Sequence, residues 1–385
     1  TKCLSLYWYR LDIVGSLRLA CGMRRPRFRG PRDLPVAYFH CVSRVVGREF
    51  LLGEDEKRHF LRLMRLYERL CGLRVVAYCL MSNHFHLLVE VPRRPAPEAL
   101  PDDPSLVDRV RSTLGDKCAD ELQWQLAHLR SRGHSEGAEA LRERWFARMW
   151  DISPFMKTLK QRFSQWFNRR HQRKGTLWED RFRSVLVEGE CHALRAMAAY
   201  IDLNPVRAGL CEDPAEYRWC GYAEALAGGR RARQALAFLN SLAPHGGRLP
   251  RERQAPTAAE NLRRWRCWLF GIPHSPAAQE QQRAREQTRP GSAETRARVP
   301  RPAALKVLAQ GGRLDPASYL RCRVRYLSDG LVFGRREFVE QAFAACREHF
   351  SPQRRTGARP LRGLQPAAPT ERLYTARQLR KQLFG

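Results

Sequence analysis

Met81-Ser-Asn-His-Phe-His-Leu-Leu-Val-Glu-Val91 decides the reading of this chain, because it sets His84 and His86 two residues apart inside an apolar run with the composition of a β-strand. Alternate residues of a strand share a face. The two imidazoles therefore point to one side, while Phe85 and Leu87 point to the other, toward a core. Two neutral imidazoles aimed at one point are the minimal geometry for a divalent-metal site. The same spacing also suits two half-buried polar positions. Of the eleven histidines, only these two are spaced in this way.

Working outward, Val36 to Val45 follows Pro35 and is rich in β-branched and aromatic residues, the pattern of a first strand, with Gly47 marking its end. From Glu54 to Cys71 the residues Phe60, Leu63, Met64, Leu66, Tyr67 and Leu70 recur near the helical period, and Gly72 supplies the stop. Leu73 to Leu80 reads as a second strand, Ser82-Asn83 as a turn, and His84 to Val91 as the third strand. Strand, helix, strand, strand is the first half of a ferredoxin-like sandwich. Pro92, Pro95, Pro97, Pro101 and Pro104 interrupt the pattern, and about 93–150 reads as a helical insertion, with decoration favoured over substrate-end binding. Ser153 to His171 is the next helix, opened by Ser153-Pro154. Gly175 to Val187 gives a turn and the fourth strand. Glu190 to Asn204 is a helix carrying Tyr200, which Pro205 is expected to end.

The predicted class is thus α+β: a ferredoxin-like sandwich, with a four-stranded antiparallel sheet and helices on one face, plus the helical insertion and a basic, partly disordered C-terminal extension. Residues 1–25 read as a leader, since the chain begins with Thr and Met23-Arg-Arg-Pro looks like a start; Thr1 to Gly22 is expected to be upstream sequence. The main domain is placed at 26–222, a linker with a short helix (Asn261 to Gly271) at 223–302, a small helical unit at 303–350 and a basic tail at 351–385, with a helix expected near Thr375.

Lys and Arg total 69 against 39 Asp and Glu, a formal net charge of +30 over 385 residues. Codon bias toward Arg accounts for part of this, but the resulting field still favours a polyanionic partner, nucleic acid ahead of a membrane surface. No apolar run approaches the length needed to span a bilayer, so no membrane partner is expected and a cytoplasmic location is. The twelve cysteines form no C-x-x-C pair, against a zinc ribbon or a disulfide framework.

Together with Tyr200-Ile-Asp-Leu-Asn-Pro-Val-Arg-Ala-Gly-Leu210, the stretch Met81 to Val89 resembles the IS200-like, REP-associated tyrosine transposases of the HUH single-strand nuclease superfamily. Gly175-Thr-Leu-Trp-Glu-Asp-Arg-Phe182, Tyr217-Arg-Trp-Cys-Gly-Tyr222 and the Gly330 to Glu340 element are similar to further parts of that family. The likeness covers about Pro26 to Tyr222, and the insertion departs from it. It implies that Tyr200 attacks a phosphate of single-stranded or hairpin DNA, forms a 5′-phosphotyrosine and frees a 3′-OH for later rejoining, without ATP. It also implies a divalent cation, Mg²⁺ or Mn²⁺, held by His84 and His86. Asn204, four residues past Tyr200, is the expected third ligand through its amide oxygen, with a helix-terminal role as the plainer reading. Tyr200 on its own would read as a core residue of an Ala-rich helix.

A cation beside the phosphate would favour the phenolate and polarise the P–O bonds. Arg181, Arg183, Arg207, Lys157, Lys160 and Arg169 are expected along the DNA backbone, with Trp166 or Trp178 as base-stacking faces. A homodimer is compatible with the sequence. The rival reading is a non-catalytic regulator that binds hairpin DNA.

Overall fold

β1 (Val36–Arg44) is paired along both edges: antiparallel to β3 (His84–Pro92), with Val42 opposite His86 and Arg44 opposite His84, and antiparallel to β4 (Arg183–Val187). β2 (Arg74–Leu80) pairs antiparallel with the outer edge of β3. The computed structural model describes residues 31, 34–189, 192–242, 256–272, 299–322, 324–366 and 372–377. The expected leader and parts of the expected linker and tail lie outside them.

The sheet does not stop at four strands. β5 (Val332–Gly334) runs parallel to β4, and β6 (Arg359–Pro360) and β7 (Tyr374–Thr375) complete a seven-stranded mixed sheet in the order β2-β3-β1-β4-β5-β7-β6. The four-stranded antiparallel sheet expected from the sequence is corrected accordingly. The physical cause is the free edge of β4, whose backbone groups would otherwise be unpaired. Leu186 N and Glu188 N donate to Leu331 O and Phe333 O, each at 2.9 Å, and the Glu188 carboxylate accepts from Arg335 Nε at 2.8 Å. The stretch expected as a helical unit and basic tail therefore supplies strands to the main sheet, and Thr375 is a strand residue rather than a helical one.

Helices cover both faces, not one. Phe39, Cys41, Phe85, Leu87 and Leu186 face a core shared with α1 (Glu54–Cys71) and α5 (Ile152–Arg170). Tyr38, Leu88, Val185 and Val187 face a second core shared with α6 (His192–Asp202). Every residue of α6 from Ala193 to Asp202 is buried, and a helix apolar all round needs cover on all sides. The sheet supplies one side; the later helices supply the rest. α1 forms where the periodicity placed it, with Glu54, Asp55 and Glu56 in its first turn and Gly72 left-handed at φ 64° beyond its end.

The insertion folds as α2 (Asp103–Leu114), α3 (Asp116–Ser131) and α4 (Ser135–Phe146), with Leu106 and Val110 in the α1 core and Asp103 accepting from Arg130 and Arg142. After α6 come α7 (Asn204–Ala208), α8 (Gly221–Leu226), α9 (Arg230–Ser241) and α10 (Ala258–Phe270). The linker expected over much of this span is corrected, because Ala235, Leu236, Trp265 and Leu269 join the second core. α11 (Arg301–Ala309), α12 (Pro316–Arg321), α13 (Arg325–Asp329) and α14 (Arg336–Ala345) follow later in the chain. α12 packs on α6 and α10, and α13 packs on β4. No described helix is long and apolar enough to cross a membrane.

Asp202, at the end of α6, accepts from the Trp265 indole Nε1 at 3.0 Å and from Tyr222 N at 3.3 Å. Burial pushes its carboxyl up to about 7, although both hydrogen bonds oppose the shift. A carboxyl raised in the folded state binds its proton more tightly than the unfolded chain does, so this group lowers stability as pH rises from about 4 to about 7. Denaturant midpoints of wild type and Asp202→Asn, compared at pH 5 and pH 8, are expected to show a smaller loss across that window in the variant. Equal pH slopes would remove the assignment.

Candidate metal and nucleophile site

His84 and His86 leave β3 on the face that α6 covers, their ring centroids 5.1 Å apart and their planes at 75°. Tyr200 projects from α6 into the same place, its ring centroid 6.3 Å from that of His86. Strand alternation places the histidines on this face and sends Phe85 and Leu87 into the other core. The sheet register and the docking of α6 bring in the tyrosine.

A third imidazole stands beside them. His40, on β1, is fully buried; its Nε2 lies 2.8 Å from His86 Nδ1 and its Nδ1 lies 2.7 Å from the carbonyl oxygen of Leu327. Its ring is edge-on to Tyr200, centroids 6.2 Å apart. Burial holds the His40 ring down at about 4, with Arg207 adding repulsion. Burial likewise holds His86 well below the imidazole range, reinforced by His40, His84 and Arg207. Both rings are therefore neutral near pH 7. On the other side, His84 Nδ1 lies 2.6 Å from Asn83 Oδ1, and Asn83 Nδ2 donates to Arg48 O at 3.0 Å.

Asn204 reaches His84, but by the other end of its amide. Arg207 Nη2 donates to Asn204 Oδ1 at 3.1 Å, so the amide nitrogen is what faces His84 Nε2, at 3.3 Å. The expected ligation through the amide oxygen is thus not the arrangement present. Nor does Asn204 end the tyrosine helix: α6 stops at Asp202, and Pro205 sits in the first turn of α7, where a missing N–H costs nothing.

Arg207 is a site residue rather than a surface one. It is 7% exposed, its guanidinium carbon lies 3.7 Å from the Tyr200 ring centroid, and Nη1 donates to Leu320 O at 3.1 Å. Its expected place on a DNA backbone is corrected by that burial. Lys160 is corrected for the same reason: it is buried and donates to Asp180 O at 2.7 Å. Trp178 packs edge-on against Phe85 in the first core, and Trp166 is stacked on His59 at 3.9 Å. Lys157 and Arg169 are exposed on α5, across the sheet from Tyr200. Arg181 and Arg183 are exposed and line an open cleft of about 330 Å³ with Val42, Arg44 and Asp329. That cleft adjoins the histidines through the register, and Arg183 is ion-paired with Asp329 at 2.9 Å.

Among the described residues, no three His, Cys, Asp or Glu side chains group as a metal site. A cation held by the two imidazoles would meet both at Nε2, because both have Nδ1 tied, and would require Asn204 to turn its amide nitrogen away from His84. His40 and the carbonyls of Leu320 and Leu327 were missed from the sequence. The one available signal was a histidine at an inward position of an otherwise apolar strand.

No model of a known protein family matches the chain, and no curated protein matches it. Among solved structures, it is similar to a REP-associated tyrosine transposase bound to a REP hairpin, at 13% identity and a TM-score of 0.33, over 62% of this chain and 97% of that one. A likeness that low leaves any assignment to the chemistry of the site itself.

Proposed function

We propose that this protein is a metal-dependent tyrosine nuclease and strand transferase acting on single-stranded or hairpin DNA. The observation that supports it most is the meeting of His84 and His86 with Tyr200, on one face of one sheet, from elements more than a hundred residues apart. Tyr200 Oη forms a bond to phosphorus as the P–O3′ bond breaks. The phenol proton passes to solvent, and the leaving 3′ oxygen takes one up as a hydroxyl. The reverse attack by a 3′-OH rejoins a strand with no external energy source. His84 and His86 would hold the cation, Mg²⁺ or Mn²⁺, which supplies charge neutralisation at the phosphate; an imidazole pair favours Mn²⁺ of the two. The net charge of +30 suits a polyanionic strand.

One observation favours a second reading. Tyr200 is only 3% exposed, beneath α12 and the Arg207 bridge to Leu320, and a covered phenol cannot receive a phosphate. A regulator that binds hairpin DNA without cutting it would keep this arrangement closed. Incubation with labelled hairpin oligonucleotides and Mn²⁺ separates the two: a covalent adduct mapped to the Tyr200 peptide is expected from the nuclease, and binding without an adduct from the regulator. For the nuclease, hydrogen exchange in α12 and α13 is expected to speed up when hairpin DNA is added, as the cover lifts. Unchanged exchange alongside adduct formation would place the opening elsewhere.

A further inference from the structure

We infer that His40 is a positioning residue that locks His86 in the tautomer whose Nε2 carries the bare lone pair. The geometry stands by itself; its purpose rests on the metal-dependent reading above. A carbonyl oxygen can only accept, so at 2.7 Å from Leu327 O the His40 Nδ1 must carry its proton. A neutral imidazole that donates through Nδ1 can only accept through Nε2, and in this fully buried ring Nε2 meets His86 Nδ1. His86 Nδ1, 2.8 Å away, must then be the donor, and Nε2 of His86 is left as the ligand nitrogen. The two rings lie within 14° of coplanar at a centroid separation of 5.0 Å, as an N–H···N bond in the plane of both rings requires.

His84 reaches the same state by an independent route. Asn83 Nδ2 donates to Arg48 O, which turns its Oδ1 toward His84 Nδ1 and makes that nitrogen the donor. Each of the two chains is anchored on a backbone carbonyl, Leu327 in one case and Arg48 in the other. Each fixes an imidazole with Nδ1 protonated and Nε2 unprotonated. Two half-buried polar residues with no shared task have no reason to agree in tautomer. A ligand pair does, because the orientation and basicity of a metal-bound imidazole are set by the partner of its other nitrogen. The Leu327 end of the longer relay comes from α13, a late part of the second core, which thereby also sets a nitrogen at the centre of the site.

Long-range ¹H–¹⁵N spectra of the full chain, labelled at histidine and free of added metal, are expected to show His86 with Nδ1 protonated and Nε2 bare. The opposite tautomer in wild type would overturn the inference, whatever the variants do. Titration with Mn²⁺, followed by electron paramagnetic resonance, is expected to show binding weakened ~10- to 100-fold in His40→Phe. His40→Gln, whose amide oxygen can accept from His86, is expected to recover most of it. Undiminished Mn²⁺ binding in a folded His40→Phe protein would overturn the positioning role. The expected tautomer in a wild type that binds no Mn²⁺ would uphold the relay and overturn the metal-dependent reading, so the two failures are distinct.

Discussion

Tyr200→Phe is expected to abolish the covalent protein–DNA adduct and to lower strand cleavage at least ~1,000-fold, the scale of removing a nucleophile that acts together with its activating groups. The variant deletes a single oxygen. The ring keeps its place under Arg207 and edge-on to His40 and His86, so fold and hairpin affinity are expected to stay close to wild type. That combination makes the result specific to chemistry. Adduct formation by gel and peptide mapping, with hairpin binding measured on the same samples, checks it. Cleavage surviving in Tyr200→Phe would exclude this hydroxyl as the nucleophile. Hairpin binding with no adduct from either protein would favour the regulator.

Arg207→Met is expected to cost about 2–4 kcal/mol of folding stability, read as a lower denaturant midpoint at unchanged slope. The substitution keeps an unbranched apolar stem but removes the donors to Leu320 O and Asn204 Oδ1. Each buried acceptor left without a partner costs about 1–3 kcal/mol, while removing a buried cation returns part of that. Arg207→Lys is expected to fall between the two, since one ammonium is a poor substitute for a planar fork spanning two acceptors and lying on an aromatic face. A loss below about 1 kcal/mol in Arg207→Met would show that the guanidinium does not hold α12 over the tyrosine. Asn204, released from Arg207, would also be free to turn its oxygen toward His84, so a gain in Mn²⁺ affinity is the accompanying expectation.

Some of this was open to a reader of the sequence because it depends on local periodicity alone. The helical stripe of Phe60, Met64 and Tyr67 with its Gly72 stop needs no knowledge of distant residues, and neither does the alternation that separates His84 and His86 from Phe85 and Leu87. Other features were invisible for an equally physical reason. Seen only as Ala-rich, the Tyr200 helix gives no sign of which layers enclose it. The parallel addition of Val332–Gly334 to β4 depends on an edge left open some 145 positions earlier in the chain, for which neither segment carries a local signal. Lys160 and Arg207 look like surface cations until packing surrounds them with acceptors and rings.

By itself, then, the sequence determined which side chains could share a face and, for the sheet and helices between Val36 and Asp202, which segments were strand or helix, because backbone geometry fixes those relations within a few residues. Only the tertiary structure decided that Tyr200 meets the histidine pair, that His40 stands behind His86, that Asn204 presents nitrogen rather than oxygen, and that α12 closes over the phenol. Those outcomes follow from sheet register and helix docking, which are settled by burial and backbone pairing across the whole chain rather than by any one stretch of it.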